Sequence, residues 1–128
     1  TIEDRTVSVI IPAFNEEQVI GSLVAQVIDQ NLAMEVIVVD DGSQDATAEK
    51  ARQAGARVFR HPYNIGNGAA VKSGIRMARG DIMVFMDGDG QHDPQDIPAL
   101  LAPLSEFDMV VGARERKHQA SLKRFFGN

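Results

Sequence analysis

Residues 36–43 read Val-Ile-Val-Val-Asp-Asp-Gly-Ser, a β-branched run that ends abruptly in acids and turn-forming residues. An apolar run without alternation predicts a strand that is buried on both faces of a parallel sheet. The stretches 7–11 and 82–86 repeat this pattern, and Pro12 and Asp87 follow them. Three such strands in one chain favour an α/β fold over an all-helical or an all-antiparallel one.

The segments between these strands carry helical patterns. Apolar residues recur at helical spacing from Val19 to Ile28, and we expect Asn15 to cap that helix. Ser43 and Asp45 predict the start of an alanine-rich helix that ends at Gly55. The other expected elements are a strand at Arg57–Arg60, a helix from about Gly68 to Arg79 with Gly80 as the residue after its end, a helix around Ile97–Leu104 and a strand at Met109–Val111. Strands that alternate with helices predict a three-layer α/β/α sandwich with a mostly parallel sheet.

Length and composition narrow the class of protein. The chain has 128 residues with 13 basic and 18 acidic side chains, a net charge of −5, which fits one domain and argues against a nucleic-acid partner. There is no cysteine, so disulfides and thiolate chemistry are excluded. No apolar window is long enough for a transmembrane helix. We expect residues 1–116 to form the domain and 117–128 to begin a further segment that is cut short.

Acids follow the fourth predicted strand at a spacing of two, in Asp87-Gly88-Asp89. Ligands bind at the carboxyl ends of the strands in an open parallel sheet, and two carboxylates on one side of the chain favour a cation between them. Hard oxygen ligands suit Mg²⁺ or Mn²⁺, which can grip a diphosphate. The same residues also suit an ordinary turn, so the pattern alone leaves both interpretations open.

Other polar groups are expected at the same edge. Asp40 and Asp41 are candidates to accept a nucleobase N–H or a ribose hydroxyl, or form only a turn and a helix cap. Backbone N–H groups in the stretch 64–68 are placed to take a phosphate before a helix. Lys72 is either a solvated helix residue or a phosphate ligand. We expect His61 and His118 on the surface and His92 beside the acids, and no Ser-His-Asp arrangement is evident.

The order of these motifs along the chain is more specific than any one of them. The segments concerned are residues 7–16, 38–47, 64–74, 87–92 and 111–114. Together they resemble the family 2 glycosyltransferases of the GT-A fold, and most of all the polyprenol-phosphate glycosyltransferases. The similarity extends from about Thr6 to Arg116.

This resemblance implies a set of site residues. Those expected at the nucleotide are Pro12, Phe14, Asn15, Glu16, Asp40, Asp41, Lys72, Asp87 and Gly88. Asp87, Asp89 and Gln91 would surround the Mg²⁺ or Mn²⁺ ion, and Asp89 and Arg114 would act in catalysis, with Arg114 facing the diphosphate or the acceptor. Phe14 stands where the family commonly has Tyr, which removes a hydroxyl contact.

The resemblance also implies a reaction. A sugar would pass with inversion from a UDP- or GDP-sugar to dolichol or undecaprenyl phosphate at the cytoplasmic face of a membrane. A lipid phosphate is already anionic and needs no catalytic base, and peripheral membrane contact is expected through a downstream part. The Phe125-Phe126 pair, if exposed, would favour contact with a second chain or with the membrane.

Two other functions remain open at this point. Asp87-x-Asp89 after an apolar strand also resembles the start of a haloacid-dehalogenase phosphatase, with Asp87 as the nucleophile. Alternatively, this chain binds a nucleotide without transferring a sugar.

Overall fold

The computed structural model describes residues 5–88, 93–98, 108–112 and 122–126. In chain order the elements are β1 (Val7–Ala13), α1 (Ile20–Asp29), β2 (Glu35–Asp40), α2 (Thr47–Gln53), β3 (Arg57–Arg60), α3 (Asn67–Met77), β4 (Ile82–Phe85), a 3₁₀ turn (Pro94–Asp96), β5 (Asp108–Gly112) and β6 (Leu122–Phe126). None of the helices in these segments has the length and apolarity that a bilayer span requires.

The strands form one six-stranded sheet in the order β3-β2-β1-β4-β5-β6. The first five strands are parallel to their neighbours, and β6 pairs antiparallel with β5. The predicted α/β class and the mostly parallel sheet are therefore confirmed. The strand β6 was not expected, since Leu122–Phe126 lies in the segment 117–128, for which we predicted no strand.

The core lies on both faces of the sheet because β1 and β2 are apolar at nearly every position. On one face, alternate residues of β1 (Val7, Val9 and Ile11) pack with buried residues of α1 and α2. On the other face, Ile10, Ile37 and Val39 pack beneath α3. Two helices below the sheet and one above it give the three predicted layers.

The starts of two helices differ from the prediction. Asn15 does not cap α1, which begins at Ile20, because its backbone is left-handed (φ 53°) and its Oδ1 accepts from the main chain of Gln44. Ser43 does not cap α2, because its hydroxyl accepts from the N–H of Asn15 at 2.7 Å. In both cases contacts between loops have taken the groups that a helix cap would use.

Two helix ends were also predicted. Gly55 follows α2 with a left-handed backbone (φ 114°), as expected for the residue after a helix end. Gly80 does not end α3, which stops at Met77, and its N–H donates to Ser8 Oγ at 2.8 Å instead. Of the predicted helix around 97–104, only Ile97 and Pro98 are among the described residues, and both are helical.

Candidate functional site

The carboxyl ends of β1, β2 and β4 open onto one cavity. The backbone ladder continues past these strands, since Asp41 N donates to Ala13 O (2.9 Å) and Gly88 N donates to Pro12 O (3.1 Å). A cavity of about 350 Å³ lies at this edge. Its lining residues are Pro12, Ala13, Phe14, Glu16, Asp41, Asn64, Gly66, Asn67, Ala70, Asp87 and Gly88.

Six of the nine residues expected at a nucleotide line this cavity, namely Pro12, Phe14, Glu16, Asp41, Asp87 and Gly88. The other three, Asn15, Asp40 and Lys72, do not. Asn15 binds the 43–47 loop, and Lys72 is exposed on α3. The side chain of Asp40 is fully buried, where Oδ1 accepts from Ser43 N at 3.0 Å and Oδ2 lies 3.5 Å from Arg60 Nε.

The loop after β1 and the loop after β2 are joined by hydrogen bonds. The main chain of Glu16 donates to Thr47 Oγ1 at 2.8 Å, and the main chain of Ala46 donates to the Glu17 carboxylate at 3.1 Å. Asp45 joins the set by accepting from the N–H of Glu17 at 3.3 Å. These bonds fix the wall of the cavity on which Phe14 and Glu16 lie.

The carboxylate of Asp41, in the cavity lining, accepts four hydrogen bonds. Oδ1 accepts from His61 Nδ1 (2.7 Å) and from the N–H of Ile65 (3.0 Å), while Oδ2 accepts from Asn64 Nδ2 (3.0 Å) and from the N–H of Gly66 (2.9 Å). Burial raises the pKa of Asp41, but the bonds from His61, Ile65 and Gly66 outweigh it and leave that pKa below its ordinary value. The group is therefore a carboxylate at neutral pH.

This bonding corrects, for two of five residues, one expectation about the loop after β3. We predicted that backbone N–H groups of residues 64–68 would take a phosphate from a ligand. Those of Ile65 and Gly66 instead hold the chain's own carboxylate at Asp41. Successive backbone N–H groups in a loop form an anion-binding site. In this protein the anion bound there is the carboxylate of Asp41, which follows β2.

His61 is buried, contrary to the prediction that it lies on the surface. It is 4% exposed, and its Nε2 lies 2.8 Å from Ser73 Oγ on α3. Asp41, His61 and Ser73 thus form a Ser-His-Asp arrangement that the sequence did not reveal. Ser73 is itself 5% exposed, and neither it nor His61 lines the cavity, so the serine is not placed as a nucleophile for a bound substrate.

Gly42 explains how closely the two loops approach. Its backbone is left-handed (φ 79°), and a Cβ placed there would collide with the main chain of Tyr63 and Asn64. Only glycine fits both conditions without strain. The Asp41-Gly42 pair therefore holds the 63–66 loop, Asp41 through its carboxylate and Gly42 through its lack of a side chain.

The charge of the cavity is unbalanced. Its lining includes the acids Glu16, Asp41 and Asp87, and no Lys, Arg or His is found among the described lining residues. Within the described part of the chain, no three acidic or histidine side chains are grouped closely enough to hold a metal ion. The predicted partners Asp89, Gln91 and Arg114, like His92 and His118, lie outside the described residues.

Sequence reasoning missed part of the lining. Ala13 and Ala70 line the cavity and had been given no role, and Asn64, Gly66 and Asn67 had been noted only as part of the stretch 64–68. The signal that could have identified Asn64 and Gly66 is the acid at the end of a buried strand. A buried carboxylate requires several hydrogen-bond donors from elsewhere in the chain, and these two residues supply two of them.

Comparison with known proteins places the chain in a family. The family model described as "Glycosyl transferase family 2" matches residues 8–126. Dodecaprenyl-phosphate galacturonate synthase of Rhizobium johnstonii is 38% identical over 135 residues, covering 96% of this chain and 40% of that protein. Dolichol-phosphate mannosyltransferase of Pyrococcus furiosus is 38% identical over 115 residues, covering 84% of this chain and 33% of that protein.

A solved structure is similar in fold as well. It is glucosyl-3-phosphoglycerate synthase from Mycobacterium tuberculosis in complex with Mn²⁺, UDP and glucosyl-3-phosphoglycerate, with a TM-score of 0.68 and 34% identity. The match covers 80% of this chain and 43% of the other, so the chain spans less than half the length of these three relatives. With the sheet order and the family match taken together, the chain belongs to glycosyl transferase family 2 and has the GT-A fold.

Proposed function

We propose that the cavity binds a nucleoside diphosphate sugar together with Mg²⁺ or Mn²⁺. The observation that carries this proposal is the acidic lining, with Glu16, Asp41 and Asp87 and no described cationic side chain. A pyrophosphate would be repelled by this lining unless a cation came with it. The Mycobacterium tuberculosis relative was solved in complex with both UDP and Mn²⁺, which supports the same pairing.

Asp87 is the described residue best placed to hold the cation. It lines the cavity just beyond the end of β4, and its carboxylate has the hard oxygen donors that Mg²⁺ and Mn²⁺ prefer. Asp89 and Gln91 are the further ligands that the family resemblance implies. The bound cation would neutralise the pyrophosphate and stabilise it as a leaving group.

The acceptor that we propose is a polyprenol phosphate at the cytoplasmic face of a membrane. Its phosphate oxygen would attack the anomeric carbon of the sugar with inversion, and the nucleoside diphosphate would leave. Support comes from the names of two relatives, which contain dodecaprenyl phosphate and dolichol phosphate. A phosphate acceptor is anionic near neutral pH and needs no general base. Arg114 is proposed to face the diphosphate or this acceptor.

Calorimetry tests the binding step directly. UDP and GDP are titrated into the chain with and without Mn²⁺, and we expect at least one of them to bind and to require the metal. Asp87→Asn keeps the shape of the side chain and removes its charge, so metal-dependent affinity should fall about tenfold or more. Asp29→Asn, at the exposed end of α1, removes the same charge away from the cavity and should bind like the wild type. Binding that ignores both the metal and Asp87→Asn would overturn the proposal.

The sequence left two other functions open, a haloacid-dehalogenase phosphatase and a module that binds a nucleotide without transferring a sugar. Membership of glycosyl transferase family 2 removes the basis for a haloacid-dehalogenase phosphatase, and Asp87 follows β4 and not the first strand. Nucleotide binding without transfer is tested by supplying labelled nucleotide sugar and vesicles that contain undecaprenyl phosphate. Label in the lipid fraction supports the transferase, and binding without labelled lipid supports the binding module.

A further inference from the structure

The carboxylate of Asp41 has no capacity left for a ligand. A carboxylate offers about four lone-pair sites, and Asp41 receives four donors from His61, Asn64, Ile65 and Gly66. The side chain is also only 6% exposed. A nucleobase N–H could bond to Asp41 only by displacing one of these donors, which would leave that buried group unpaired.

Asn64 is oriented by the same carboxylate. Its Nδ2 donates to Asp41 Oδ2 at 3.0 Å and to the main-chain oxygen of Asp41 at 3.3 Å. Turning the amide over would set its oxygen against two acceptors, so the orientation is fixed by the network. The amide oxygen Oδ1 is consequently directed away from Asp41, and it has no partner among the described residues.

Asn64 shares the lining of the cavity with Gly66, Asn67 and Ala70, and Asp87 enters that lining after β4. The amide oxygen of Asn64 is a neutral acceptor and suits a neutral nucleobase, whereas the carboxylate of Asp87 suits the cation of the pyrophosphate. The exposed ring of Phe14 lies in the same lining, where a base can stack on it.

We propose that Asn64 Oδ1 accepts the ring N–H of the nucleobase, and that Asp41 is the positioning residue that presents it. This inference rests on the proposed function. A ring N–H beside a carbonyl is present in uracil (N3) and guanine (N1) and absent from cytosine and adenine. The site would therefore select UDP- or GDP-sugars through the neutral amide of Asn64, whose orientation is fixed by its hydrogen bond to the buried carboxylate of Asp41.

The test compares nucleotides that differ only at this N–H. Affinities for UDP and N3-methyl-UDP, and for GDP and N1-methyl-GDP, are measured by calorimetry with Mn²⁺. In the wild type, methylation should weaken the nucleotide that binds by about tenfold or more. In Asn64→Ala and Asn64→Ser the methylation penalty should fall to within about twofold, because the acceptor is gone. Ribose 5-diphosphate, which has no base, should bind all these proteins with similar affinity.

Gln53→Ala is the control, since Gln53 carries an exposed amide at the end of α2 and does not line the cavity. It should keep the wild-type methylation penalty. If the Asn64 variants keep that penalty, or if they lose affinity for ribose 5-diphosphate to the same extent as for UDP, the assignment of Asn64 is wrong while the proposed function stands. If the wild type binds neither UDP nor GDP, the proposed function fails and this inference fails with it.

Discussion

Asp41 Oδ1 lies 2.7 Å from Nδ1 of His61, and both side chains are almost fully buried at the end of β2. His61 in turn meets the Ser73 hydroxyl of α3 at 2.8 Å. His61 therefore connects Asp41, which follows β2 and lines the cavity, to helix α3. Its role is to supply a donor to a buried carboxylate that would otherwise be short of one.

Replacing His61 with Phe should lower stability. The change removes one of the four donors to the buried Asp41 carboxylate and leaves the Ser73 hydroxyl with only the 3.5 Å contact from Arg76 Nη2, at a cost of about 1–3 kcal/mol. Urea unfolding measures the difference in the free energy of unfolding. Lys72→Ala, on the exposed face of the same helix, should change it by less than about 0.5 kcal/mol. Equal stabilities for the two variants would contradict the role given to His61.

Gly42→Ala should separate the two loops that meet at the cavity. A Cβ there meets the main chain of Tyr63 and Asn64, and the left-handed backbone adds strain, so we expect a loss of about 1–3 kcal/mol in stability. Nucleotide affinity should fall as well, because the wall at Asn64 moves. Gly68→Ala is the control, since nothing lies within 4 Å of its Cβ position and its place in α3 favours alanine by up to about 1 kcal/mol. A Gly42→Ala protein as stable as Gly68→Ala would show that the close approach is unimportant.

Glu35 should make stability depend on acid pH. Burial raises the pKa of Glu35, but hydrogen bonds from Ser8, the main chain of Arg79 and Arg57, with the charge of Arg57, outweigh it and lower that pKa overall. A lowered folded-state pKa stabilises the fold above the ordinary glutamate value of about 4.3. This contribution is lost as the pH falls through the folded-state pKa.

The measurement is the difference in unfolding free energy between the wild type and Glu35→Gln from pH 7 to pH 3. We expect about 1–3 kcal/mol at pH 7, decreasing toward pH 3 as the wild-type carboxylate takes up its proton. Glu49→Gln removes an exposed acid, whose side chain is 63% accessible and lies 3.5 Å from Arg52 Nη1. Its effect should stay below about 1 kcal/mol at every pH. A Glu35→Gln difference that does not vary with pH would refute the argument.

The strands and the shared edge could be predicted because they depend on local pattern. Continuous β-branched runs predict buried parallel strands, and the rule that ligands bind at carboxyl ends then places Asp41 and Asp87 at one cavity. The helix starts were mispredicted because Asn15 and Ser43 bond to each other's loops, 28 residues apart in the chain. Local capping preferences cannot anticipate a partner at that distance.

The burial of His61 was unpredictable for the same reason. Its partners are Asp41, 20 residues away, and Ser73, 12 residues away, and no periodic pattern contains all three. The strand β6 was missed because its sequence, Leu-Lys-Arg-Phe-Phe, does not alternate cleanly, and its pairing with β5 depends on the rest of the sheet. The family resemblance named Asp41 as a nucleotide residue, but only the hydrogen bonds show what its oxygens contact.

Phe14→Ala should weaken nucleotide binding without disturbing the fold. The ring lines the cavity and is 43% exposed, so it contributes little to the core and is free to stack on a base. Loss of one base–aromatic contact costs about 1–3 kcal/mol, or about fivefold to 150-fold in the dissociation constant. Tyr63→Ala is the control, because Tyr63 is an aromatic residue 67% exposed that does not line the cavity. Calorimetry with UDP and GDP should show the loss in Phe14→Ala alone, with ribose 5-diphosphate unaffected in both variants. A similar loss in both variants would mean that the aromatic contact with the base does not exist.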